Sequence, residues 1–189
     1  MVLCFGMAPL LGSSSLPVPA LFGGISGGVP IPLVLAALPA GTLLYCLNRP
    51  PADLEATAAR RTSWWSSGLL IAACGTAILL GIVEQSWLDF PLAWAVTRNM
   101  LGYLGVGLLA QWLLGPRYGP VTVAILPLVS ALVGTGPGGR PYPWAWPLLP
   151  SGSAHASLAA LALLIAGTAL CHARPNHTFA RGRTWVSAR

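Results

Sequence analysis

Apolar residues fall in long blocks along the chain, and polar residues collect between the blocks. Residues 29–47, VPIPLVLAALPAGTLLYCL, form an uncharged run of nineteen. A helix of that length, rising about 1.5 Å per residue, is long enough to cross a hydrocarbon core of about 30 Å. Pro30 and Pro32 sit at its start, where a missing amide costs little. Pro39 lies mid-run, and a kink is expected there. Further runs cover 66–83, 92–114, 119–133 and 154–173. The 66–83 run carries Gly68, Ala72, Ala73, Gly75 and Ala77 at helical spacing, which suits close helix contact in lipid. The 92–114 run is interrupted by Arg98-Asn99. The 119–133 run is short, and Pro127 is expected to break it.

Residues 2–25 are apolar overall but are interrupted by Pro9, Ser13-Ser14-Ser15, Pro17 and Pro19. A broken span, a re-entrant segment and an interfacial piece all fit, because proline is tolerated in a span only where neighbours satisfy the freed backbone. The predicted fold class is all-α: a polytopic integral membrane protein with five or six transmembrane helices over residues 1–173.

The polar stretches complete this layout. In residues 48–65, Pro50-Pro51 stops the preceding helix. Asp53 can then cap a short helix, ADLEATAARR, with acid at its start and arginine at its end. Residues 84–91, EQSWLDFP, read as a short acidic turn, and 115–118, GPRY, as a tight one. Residues 134–153 are rich in Gly, Pro and Trp, and prolines at 141, 143, 147 and 150 forbid a regular helix through them. Residues 174–189 form a polar, basic tail.

Composition agrees with the pattern. Only 7% of residues are charged and 55% are hydrophobic, whereas soluble domains carry about 25% charged residues. The mean hydropathy is +0.71. So few charges cannot cover a water-soluble surface, which excludes an ordinary cytosolic enzyme and a disordered chain. The net charge of +6 comes from arginines dispersed along the sequence. They form no groove-lining stripe, so the expected partner is the lipid bilayer and not nucleic acid.

The arginines also orient the chain. Alternating sides put Arg49, Arg60, Arg61, Arg117, Arg174, Arg181, Arg183 and Arg189 on one side. Arg140 falls on the other side with Glu84 and Asp89. The positive-inside rule makes the first side cytoplasmic, the C-terminus included, in the cell membrane. Aromatic residues cluster at both boundaries: Tyr45, Trp64, Trp65, Trp112 and Tyr118 inside, and Trp87, Phe90, Trp94, Tyr142, Trp144 and Trp146 outside.

Few residues suggest chemistry. Cys4, Cys46, Cys74 and Cys171 have no paired spacing and read as separate small apolar residues. His155, His172 and His177 lack the neighbours of a metal site. Walker, G-x-S-x-G and H-E-x-x-H motifs are absent. No secretory signal is evident in the opening residues. The four acidic residues all fall in expected loops, so no intramembrane carboxylate supports proton coupling. No catalytic, cofactor-binding or metal site is expected.

Three candidates remain. Arg98 is the one charge inside an expected span. It can anchor the helix by snorkelling towards Asp89 and Glu84, or it can contact a substrate; anchoring is favoured. Asn99 beside it can hydrogen-bond a neighbouring helix. Tyr142, Trp144 and Trp146 form an outer aromatic segment, read first as an interfacial loop and second as a re-entrant or gating element. Asp53, Leu54, Glu55, Arg60 and Arg61 form a short cytoplasmic helix, which is either a docking element or a solvated connector.

Three stretches, LEATAARRTSWW, RNMLGYLGVGLLAQWLLG and WAWPLLP, resemble the membrane subunits of ABC-2-class ABC exporters, especially compact permease-like proteins of actinobacterial type. The resemblance implies six spans with both termini inside. It implies a coupling helix at Asp53–Arg61 that docks on a separate ATPase, and a re-entrant segment at 134–153. The implied function is a permease-type subunit in a homo- or hetero-oligomer. The alternative is a non-transporting accessory, immunity or assembly protein of the membrane.

Overall fold

The computed structural model describes residues 1–12, 14–17, 28–48, 62–136 and 140–173. The architecture is mostly helical. Helix α1, Val2–Leu11, runs through Pro9 and stops at Gly12, whose φ of 52° suits glycine. Strands β1 (Ser15–Pro17) and β2 (Gly28–Pro30) then pair antiparallel, with Leu16 opposite Val29. The segment 2–25 therefore does not form one continuous span. Ten helical residues reach only about 15 Å, half the depth of a hydrocarbon core.

Helices α2 (Ile31–Leu35) and α3 (Ala37–Leu47) occupy the first strong apolar run. Pro39 has no amide to offer the carbonyl of Leu35, so the ladder is interrupted at Ala36. The expected kink appears one turn before the proline that causes it.

Helix α4, Thr62–Trp87, is longer than the sequence suggested. It runs straight through Glu84, which the acidic-turn reading had placed in a loop. No helix breaker stands before Pro91, and the apolar pattern through Ile82-Val83 carries the helix onward. The turn that follows is held by the Leu88 and Phe90 amides, both donating to the Glu84 carbonyl at 3.2 Å. Asp89 sits there with a φ of 46°.

Helices α5 (Ala93–Leu114), α6 (Tyr118–Val133) and α7 (Ala154–Ala173) complete the described chain. Pro127 does not break α6. It is buried inside a helix that continues to Val133, at the loss of one backbone hydrogen bond. Between α6 and α7, Thr135 bridges Pro141 and a single 3-10 turn forms at Trp146–Leu148.

Helix α5 is the axis of the fold. It packs most extensively on α7 and also contacts α3, α4 and α6. Val96, Met100, Tyr103 and Leu104 on α5 are fully buried. Gly105 lets α7 approach closely, because a side chain there would strike the backbone of Leu163 and Leu164. On α4 the small residues divide. Ala77 and Gly81 face Thr97 of α5, whereas Gly68 and Gly75 face open space.

Two stretches, Ser66–Trp87 and Ala154–Ala173, are long and apolar enough to cross a membrane. Only 17% of the most apolar part of each is buried. The core helix of a soluble protein is mostly buried, whereas these two are mostly exposed. The polar residues Thr97, Arg98 and Asn99 lie inside, while Ile71, Leu79, Leu158 and Ile165 lie outside. The runs Val2–Leu11, Ile31–Leu47 and Tyr118–Val133 are apolar but shorter.

Candidate functional site

The structure joins two of the sequence candidates into one site. Pro147 and Pro150 limit the 146–150 segment to a single 3-10 turn, so its carbonyls are not used up by a regular helical ladder and can accept from side chains. Arg98, in the second turn of α5, supplies donors. Its Nη1 donates to the Pro150 carbonyl at 2.9 Å, and its Nη2 to Leu149 at 2.8 Å and Trp146 at 3.2 Å. Asn99 Nδ2 donates to the Pro147 carbonyl at 2.9 Å. Asn99 Oδ1 accepts from Arg98 Nε at 3.4 Å, which aligns the two side chains. Arg98 is 6% exposed and Asn99 is fully buried.

The planar guanidinium suits this task because its donors fan out in one rigid fork. The anchoring role foreseen for Arg98 takes a different form here. Its partners are backbone carbonyls and not Asp89 or Glu84, so the charge is met by dipoles inside the fold. Asn99 bonds a loop carbonyl where a neighbouring helix was expected.

The outer aromatic residues split into two groups. Tyr142 and Trp144 are exposed and stack with ring centroids 6.5 Å apart. Trp146 turns inward against Tyr103, with centroids 5.6 Å apart and planes at 50°. Gly102 makes room for it, since a side chain there would strike the indole. Tyr103 in turn donates its hydroxyl to the Leu33 carbonyl at 3.4 Å. Tyr142 and Trp144 thus lie on the surface, whereas Trp146 is buried because the Arg98–Asn99 clasp draws its segment inward. Phe90 is also buried.

Glu84 is the second departure. It is 4% exposed, and neither carboxylate oxygen has a hydrogen-bond partner. The sequence signal was the apolar pattern that runs into it through Ile82-Val83, outweighed by its nearness to Asp89 and Pro91.

At the opposite end of the bundle, α3, α4, α5 and α7 surround a cavity of about 200 Å³. Leu47, Leu70, Leu108 and Cys171 form part of its apolar wall. Ser67 and His172 also line it, and they meet across α4 and α7 with Ser67 Oγ 2.9 Å from His172 Nε2. His172 Nδ1 lies 2.9 Å from the Thr168 carbonyl. Sequence reasoning missed this pair, since the two residues are 105 positions apart. The one available signal was that Ser67 lies near the start of α4 and His172 near the end of α7.

The coupling-helix candidates Asp53, Leu54, Glu55, Arg60 and Arg61 lie outside the described residues, as does the tail 174–189. No family model, curated protein or solved structure matches the chain.

Proposed function

We propose that the chain is a polytopic subunit of the cell membrane, with its C-terminus in the cytoplasm, acting as the permease-type component of an ABC exporter. On this reading a separate ATPase supplies the energy, and the chain works in a homo- or hetero-oligomer. One observation carries the proposal: the 146–150 segment folds back against the first turns of α5 and is clasped there by Arg98 and Asn99. Irregular backbone inside a bilayer is tolerated only where protein satisfies it, and the clasp meets that condition. A re-entrant element before the last helix is what the resemblance of WAWPLLP to the exporter subunits implies. The exposed apolar faces of α4 and α7 support the membrane setting.

The test is co-purification from mild detergent. Tagged protein is extracted, and its partners are identified by mass spectrometry. A stoichiometric Walker-type ATPase is the expected result, and charge reversal of Arg60 and Arg61 is expected to release it. A clean homo-oligomer without an ATPase overturns the exporter reading in favour of an accessory membrane protein.

A further inference from the structure

We propose that Ser67 is a nucleophile activated by His172, and that it cleaves long-chain acyl esters entering the cavity between α3, α4, α5 and α7. The argument starts from the tautomer. The Thr168 carbonyl can only accept, so Nδ1 of His172 carries a proton and donates it at 2.9 Å. In the neutral ring Nε2 is then bare, and it accepts the Ser67 hydroxyl at 2.9 Å. A nucleophile, a base within hydrogen-bond reach and a third group orienting the base are the parts of an activated serine. The carbonyl of Thr168, on the same helix turn, serves as the orienting group.

The cavity supplies a place for substrate. Its apolar wall of Leu47, Leu70, Leu108 and Cys171 suits an acyl chain. Gln111 lines the same cavity, and its amide Nε2 is buried without an acceptor. The pair lies near the ends of α4 and α7, at the boundary between apolar core and polar loops, where membrane lipids hold their ester groups.

The steps balance without any cofactor. Ser67 Oγ attacks the ester carbonyl carbon, and its proton passes to His172 Nε2. The bond from that carbon to the alcohol oxygen breaks, and the leaving alkoxide takes the proton from His172. Water then attacks the acyl-serine, again giving its proton to His172. Ser67 Oγ leaves with that proton and releases the carboxylic acid.

The experiment uses the full chain in mild detergent with a fluorophosphonate probe, followed by peptide mapping. The expected result is an adduct on Ser67, formed at least about 100-fold more slowly in His172→Gln and His172→Asn. Gln keeps an acceptor for Ser67 but cannot take its proton, so a merely structural tie would leave the labelling rate unchanged. Detergent melting checks that the variants are folded. Ester hydrolysis is then followed with p-nitrophenyl laurate, with p-nitrophenyl butyrate and with phospholipid vesicles. Activity on vesicles identifies the bilayer as the source, and activity on laurate alone identifies a free amphiphile. No adduct on Ser67 in the wild-type protein, or an adduct formed at the wild-type rate in both folded His172 variants, overturns the proposal. Preference for butyrate over laurate overturns the long-chain assignment.

Discussion

Arg98 Nη2 lies 2.8 Å from the carbonyl oxygen of Leu149, across 51 residues of sequence. This bond and its neighbours fix the 146–150 segment to the first turns of α5, so one buried cation organises the end of the bundle where the chain passes from α6 to α7. The cation is held by carbonyl dipoles with no carboxylate among its observed hydrogen-bond partners. Such a group is costly to disturb, because it ties three carbonyls of one segment to α5 at once.

Replacing Arg98 tests that account directly. In Arg98→Met the carbonyls of Trp146, Leu149 and Pro150 lose their side-chain donor. The Trp146 and Pro150 carbonyls keep the Leu149 and Ser153 amides as donors, so the Leu149 carbonyl is the one left unsatisfied, and a loss of about 1–3 kcal/mol is expected. Arg98→Lys keeps the charge but not the planar fork, and its loss should be smaller. Thermal unfolding in detergent, followed by tryptophan fluorescence, measures both. Equal stability of wild type and Arg98→Met would mean that the clasp holds nothing in place.

The glycines give a paired prediction. A methyl at Gly105 meets the α7 backbone, which cannot move aside as a flexible side chain can. Gly105→Ala should destabilise by about 1–3 kcal/mol. Gly75 has nothing within 4 Å of an added Cβ. Gly75→Ala should leave stability unchanged or raise it by up to about 1 kcal/mol through helix propensity. The same melting assay separates the two, and equal effects would contradict the close approach of α5 and α7.

Glu84 makes the opposite kind of prediction. A buried carboxyl group without a partner is destabilising whether it carries a charge or a proton. Glu84→Leu should therefore stabilise the protein, by about 1 kcal/mol or more. A folded variant that melts well below the wild type would show that the carboxyl group has a partner in the membrane.

The sequence made the helical elements legible because apolar blocks and proline punctuation are local signals. It placed the boundaries of α5, α6 and α7 within about one residue. It erred where a distant contact decides. Pro127 reads as a breaker, yet the fold holds it in mid-helix. Trp146 reads as an interfacial residue, yet Arg98 and Tyr103 draw its segment inward. Arg98 and the WAWPLLP segment were each singled out, but nothing in the sequence pairs an arginine with carbonyls about fifty residues away. Ser67 and His172 carry no spacing signal, since their meeting depends on the antiparallel course of α4 and α7 through the bundle.

The proposed orientation predicts which side of the membrane each end of α6 faces. Tyr118 opens α6 beside Arg117, and Tyr142 follows the bridge beyond its other end. Both side chains are exposed, at 53% and 39%. Sixteen helical residues reach only about 24 Å, so α6 crosses a hydrocarbon core of about 30 Å only with help from its flanks or from local thinning. In a background without the four native cysteines, Tyr142→Cys should react with a membrane-impermeant maleimide on intact cells. Tyr118→Cys should react only after the cells are opened, because the proposed orientation puts the arginine-rich side in the cytoplasm. The reverse pattern would invert the assignment and place the Ser67–His172 cavity outside the cell. Reaction of both on intact cells would mean that α6 enters the membrane and returns without crossing it.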